Sequence, residues 1–181
     1  MYPQNASLKL MRRSCEASLK RLRTDRLDLY LLHWRGSVPL AQTVQAFAQL
    51  QQAGLIRHWG VSNLDMADMR ELCALPGAQG GQGVQTNQLL YNLSRRGIEF
   101  DLLPWLRQRG IPTMAYSPIE QGRLAGNKRL ADFSKRHGIT PAQAALAWLA
   151  AQPDVIAIPK TGNRKRLQEN FDSLQIGRAH V

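Results

Sequence analysis

Cysteine is scarce in this chain. The two present, Cys15 and Cys73, lie far apart in no metal or redox spacing and read as thiols without a chemical role. No pair of His, Cys or carboxylate residues has metal-ligand spacing, so no metal is expected. A G-x-S-x-G nucleophile elbow is missing as well. No stretch approaches the roughly 20 apolar residues of a membrane helix, and the opening MYPQNASLKLMRR has no signal-peptide apolar core. We therefore expect a cytoplasmic protein with no membrane partner. Acidic residues are also few, 13 against 24 lysines and arginines, for a formal charge of +11. Such a surface attracts anions. Because the basic residues are scattered along the chain, a small anionic ligand is favoured over nucleic acid.

What is present is an ordinary globular composition of 44% hydrophobic and 20% charged residues over 181 positions, enough for a sizeable core. Residues 7–23 place Leu8, Met11, Cys15, Leu19 and Leu22 at three- and four-residue steps, which is helical spacing. LDLYLLH (27–33) follows as a strand, and PLAQTVQAFAQLQQAG (39–54) as a helix opened by proline and closed by glycine. IRHWGVSN (56–63) is a strand, with Asn63 a candidate N-cap for the helix LDMADMRELCAL (64–75). Strands within VQTNQLLYN (84–92), IPTMAYS (111–117) and VIAIPK (155–160) alternate with helices in FDLLPWLRQRG (100–110), RLADFSKRHG (129–138), TPAQAALAWLAAQ (140–152) and NRKRLQENF (163–171). Strand–helix alternation of this kind predicts a parallel sheet, as an open doubly wound fold or a piece of an eight-stranded barrel. The open fold calls for a Gly-rich turn between a strand and the next helix. The only Gly-rich stretch, PGAQGGQG (76–83), follows a helix and precedes a strand, and reads as a flexible surface loop.

The strands end in polar residues: His33-Trp34, Ser62-Asn63, Asn87-Gln88, Tyr116-Ser117 and Lys160-Thr161. Any one of these is explained by turn chemistry or an N-cap. Together they point to a common site, because a parallel barrel gathers all such ends on one face. Ser62, Asn63 and Gln88 are suited to reading an amide. Tyr116 offers a ring for stacking, or else closes the core at its rim. In PKTGNRKRLQEN (159–170), Lys160 and Arg166 flank the start of a helix, a setting suited to a phosphate, whereas Arg164 and Lys165 read as a solvated basic face. His58 and His137 lie away from these ends and read as structural.

EASLKRLRTDRLDLYLLHW, AGLIRHWGVSN, NQLLYNLSRRGIEFDLLPW, AYSPIEQGRL and IPKTGNRKRLQEN, in that order, resemble the aldo-keto reductase family over nearly the whole chain. The resemblance implies an α/β fold, the C-terminal portion of a (β/α)8 TIM barrel with about strands 4–8 and their helices, in residues 1–175. It implies NADPH-dependent reduction of aldehydes or ketones to alcohols. By the same resemblance His33 is the active-site histidine that orients the substrate carbonyl, and Trp34 lines the substrate pocket. Ser62, Asn63 and Gln88 would hold the nicotinamide carboxamide, with Tyr116 stacked on the ring. Ser117, Ile119 and Thr161 would lie along the cofactor, Lys160 and Arg166 on the 2′-phosphate, and Glu169 and Asn170 on the adenosine. YNLSRRGIEFDLLPW looks most like a bacterial branch that reduces small aldehydes such as methylglyoxal, whose members act as monomers.

The family's catalytic aspartate, tyrosine and lysine fall on strands before the matched part, the lysine in a Lys-Val-x-Pro run. This chain opens Met1-Tyr2-Pro3, so we expect an N-terminally truncated form with little activity of its own. A non-catalytic NADPH-binding regulatory module is the alternative. IGRAHV (176–181) departs from the family and reads as a non-native tail of adapter origin.

Overall fold

The expected periodicities take shape in the computed structural model, which describes residues 1–76 and 81–176. Helix α1 (Leu8–Leu22) turns Met11, Cys15 and Leu19 into the core. It stops at Arg23, whose left-handed backbone (φ 55°) returns its N–H to the Leu19 and Lys20 carbonyls. β1 (Leu27–Leu32), α2 (Leu40–Gln52), β2 (Ile56–Ser62), α3 (Met66–Ala74) and β3 (Val84–Leu90) follow. Then come α4 (Leu102–Gln108), β4 (Thr113–Tyr116), α5 (Lys128–Arg136), α6 (Pro141–Ala150), β5 (Val155–Ala157) and α7 (Arg164–Ile176). No helix among the described residues is long and apolar enough to cross a membrane.

The chain forms two compact units, Met1–Gln88 and the residues from Leu89 onward. In the first, β1 pairs parallel with β2, and β2 parallel with β3. Its core is aromatic: the Trp59 ring stacks on Phe47 at 5.0 Å and 11°, and Tyr30 meets Phe47 edge-on at 6.3 Å. In the second, β4 and β5 pair parallel, Ala115 beside Ala157, over a core of Tyr91, Leu103, Ala115 and Leu149. Thr140 and Gln143 close a reciprocal capping box ahead of Pro141, which gives α6 a sharp start.

Three local expectations change. The cap of α3 is Asp65, whose carboxylate accepts the Asp68 N–H at 2.9 Å, and not Asn63. Asn63 instead takes a left-handed backbone (φ 57°), a conformation asparagine tolerates well. In PGAQGGQG, residues 77–80 lie outside the described residues, and Gly81–Gly83 form a 3-10 turn and not a loose surface loop. Gly81 is buried against the Leu72 carbonyl, where a Cβ would sit 1.5 Å from that oxygen. Finally, Asn87 and Gln88 lie inside β3, which runs on through Leu89 and Leu90. The expected tail, 176–181, falls outside the description except for Ile176, which closes α7.

Candidate active site

The first unit assembles its polar strand ends through one bulge. Between Trp59↔Val84 and Val61↔Asn87, β3 advances one residue more than β2, so Ser62 lies opposite Gln88. Gly60 makes this possible: a Cβ there would lie 2.8 Å from the Leu31 and Thr86 side chains and the Thr86 carbonyl. The Gln88 carbonyl then accepts from Ser62 Oγ at 2.8 Å and from the Asn63 N–H at 2.9 Å. Asn63 Nδ2 donates to the His33 carbonyl at 3.0 Å and to Ser62 Oγ at 3.1 Å. Backbone and side chains of four of the expected site residues are thus joined. Ser62 is buried and its hydroxyl hydrogen is committed, so its part is to set the turn, while the Asn63 side chain is exposed and that of Gln88 half-buried.

His33 is the first residue past β1 and is exposed. The Met1 ammonium donates to the Leu31 carbonyl at 2.8 Å and the His33 N–H returns to the Met1 carbonyl at 2.9 Å, a parallel bridge along β1. Burial lowers the pKa of the Met1 amine. The bridge seats Tyr2 next to the site: its ring centroid is 5.3 Å from that of His33 and 5.6 Å from that of Trp34, with His33 and Trp34 4.3 Å apart. Tyr2 was not among the residues expected here, since the pairing of Met1 with β1 leaves no mark in local spacing. Beyond Trp34, the Arg35 guanidinium forks onto Glu71 (2.7 and 3.0 Å) and bonds Asp68, both on α3. Gly36 then passes so close to Pro3 that a Cβ would lie 2.6 Å from the proline's. The His33–Trp34 turn is therefore held from both sides.

In the second unit Tyr116 ends β4, and Ser117 and Ile119, both half-buried, follow in the turn. Lys160 and Thr161 come after β5, three and four residues past its end at Ala157, on the same side as the β4 turn because the two strands run parallel. Thr161 Oγ1 accepts the Asn163 N–H at 3.1 Å, and Asn163 caps α7 by accepting the Arg166 N–H at 3.1 Å. Lys160 and Arg166 are exposed and form no ion pair among the described residues. That donor set, cations with uncommitted charge around a helix start, suits a phosphate. Glu169 and Asn170 lie half-buried on α7. His58 and His137 are exposed, His58 within β2 and His137 at the end of α5, apart from these groups.

The carboxylates of the second unit give a pH expectation. Glu99 is bonded by Arg96 and receives the Tyr91 hydroxyl at 2.6 Å, and these bonds hold its carboxyl below the ordinary value of 4.5. A lowered folded-state pKa adds stability that is present above about 4.5 and lost as the pH falls through the folded value. In urea titrations between neutral and acid pH, Glu99→Gln is expected to lower the midpoint at pH 7 and to flatten the acid limb. Superimposable curves for variant and parent would refute this.

The family model for the aldo/keto reductase family matches residues 1–178. The chain belongs to the aldo/keto reductase family. Among its relatives, methylglyoxal reductase YeaE of Escherichia coli is 49% identical over 97% of this chain and 63% of that protein. Glyoxal reductase of Bacillus subtilis is 35% identical over 87% of this chain and 54% of that protein. A solved aldo/keto reductase from Klebsiella pneumoniae, in complex with NADP and acetate, superposes with a TM-score of 0.92 at 45% identity, covering 96% of this chain and 62% of that one. The architecture is accordingly part of the (β/α)8 barrel of aldo/keto reductases, and the chain spans less than two thirds of each relative's length.

Proposed function

We propose that this chain is the part of an NADPH-dependent reductase of small aldehydes, methylglyoxal among them, that carries the substrate-orienting histidine and most of the cofactor contacts. The observation that carries the proposal is the Ser62–Asn63–Gln88 lattice tied to the His33 carbonyl, which couples amide-reading groups to the histidine. NADPH supplies the hydride. Asn63 and Gln88 fix the carboxamide, and Ser62 holds the turn that presents them. His33 donates a hydrogen bond to the carbonyl oxygen and so sets which face of the substrate meets the cofactor. Trp34, with Tyr2 beside it, forms an aromatic wall suited to a small substrate.

In the second unit Tyr116 stacks on the nicotinamide, Ser117, Ile119 and Thr161 follow the cofactor, and Glu169 and Asn170 meet the adenosine. Lys160 and Arg166 take the 2′-phosphate, and charge-assisted bonds of this kind are what separate NADPH from NADH. Lys160→Ala/Arg166→Ala is expected to raise the Kd for NADPH roughly 10- to 100-fold and leave that for NADH unchanged. Fluorescence titration with both cofactors tests this, and equal weakening for both would remove the 2′-phosphate assignment. Bound NADPH with no turnover in any longer form of the protein would favour a non-catalytic module.

A further inference from the structure

The stretch YNLSRRG has a structural counterpart in the turn that follows β4. Asn92 is fully buried and uses its whole side-chain amide. Nδ2 donates to the Ser117 carbonyl at 2.9 Å and to Glu120 Oε2 at 2.7 Å. Oδ1 accepts from the Ser94 N–H at 2.9 Å and from Ser94 Oγ at 3.0 Å. Glu120, only 7% exposed, accepts on its other oxygen from Arg95 at 3.2 Å and from Arg123 at 2.9 Å. Its own N–H returns to the Ser117 carbonyl at 2.9 Å.

The backbone these bonds hold is unusual. Ser117 (φ 49°), Glu120 (φ 49°) and Gln121 (φ 55°) are all left-handed without being glycine, and Gly122 (φ 89°) follows. Side-chain-bearing residues rarely enter that region, and three in five positions persist only where surrounding contacts over-determine them. The turn also carries two of the residues proposed to meet the cofactor, Ser117 and Ile119. A buried carboxylate with two arginines would be a costly way to close an ordinary turn, since a glycine-rich one needs no such support.

We propose that Asn92, Glu120, Arg95 and Arg123 are positioning residues, a polar clasp that holds the 117–122 turn in the shape in which Ser117 and Ile119 receive NADPH. None of the four need touch the cofactor. The Asn92 bond also holds the Glu120 carboxyl below the usual carboxylate range, so the clasp is charged at neutral pH. This inference rests on the cofactor reading above.

Asn92→Asp keeps the shape of the side chain but turns a carboxylate toward the Ser117 carbonyl and Glu120. In the 181-residue chain it is expected to raise the Kd for NADPH on the order of tenfold and to speed amide exchange of Ser117–Gly122, with exchange in α4 and α6 unchanged. Arg123→Gln, at a side chain 68% exposed, serves where Asn92→Asp fails to fold. It is expected to raise the Kd about threefold with the unfolding temperature unmoved. In the double variant the two effects should not multiply, because a released clasp has nothing more for Arg123 to hold. A folded Asn92→Asp with parental affinity overturns the clasp. Multiplicative effects overturn it too, since they would mean that Arg123 binds the cofactor directly. Parental protein that binds no NADPH overturns the cofactor reading itself, and the role of the clasp with it.

Discussion

NADPH oxidation with methylglyoxal is expected to run roughly 100- to 10,000-fold slower in the isolated 181-residue chain than in a full-length methylglyoxal reductase, the range a positioned general acid contributes. In the proposed function His33 orients the carbonyl, but reduction leaves an alkoxide that must take a proton as it forms. The family resemblance assigns that proton to a tyrosine whose pKa a lysine lowers, and we propose that neither has a counterpart among residues 1–181. The Tyr2 ring lies 5.3 Å from that of His33, between centroids, yet the resemblance sets Met1-Tyr2-Pro3 on the Lys-Val-x-Pro run, where Tyr2 is the variable residue and not the acid. Binding and turnover should therefore separate: NADPH titrates, and steady-state oxidation stays near background. Turnover comparable to a full-length reductase would refute the reading that none of the 181 residues serves as the acid, and Tyr2→Phe would then show whether the Tyr2 phenol does so.

Replacing Trp59 with alanine should cost about 3–5 kcal/mol of stability, the range for emptying a buried aromatic site. The indole is 1% exposed and lies flat on Phe47, and a Cβ added at Gly83 would lie 3.4 Å from its Nε1. β2 cannot collapse into the gap, because it is paired on both sides. A loss of that size is a large fraction of the stability of a typical domain, about 5–15 kcal/mol. Urea unfolding should show either a large fall in midpoint or no folded baseline, while Trp59→Phe, which keeps the stack on Phe47, retains most of the stability. A midpoint for Trp59→Ala close to the parental one would refute the packing account.

Much of this could be read along the chain. Helical steps from Leu8 to Leu22 and the short apolar runs marked the elements correctly because each depends on neighbours a few residues apart. Even there, Leu22 continues the spacing and yet is 65% exposed, as the last residue of α1. The cap of α3 went to Asp65 and not Asn63 because capping needs a side chain one step before the first helical turn, and a left-handed Asn63 cannot supply it. The buried Gly81 escaped notice for a related reason: glycine in a run of polar residues looks like a loop whether or not a carbonyl lies against it.

The chain's order of residue types determined the strand–helix alternation, the family, and which polar residues stand at or near the strand ends. Tertiary structure alone decided how they are held. The bulge at Gly60 sets Ser62 opposite Gln88, Met1 bridges β1 and brings Tyr2 to His33, and Asn92 reaches across 28 positions to Glu120. Those pairings join residues far apart in sequence, and their energies depend on distance and burial, which no local pattern encodes.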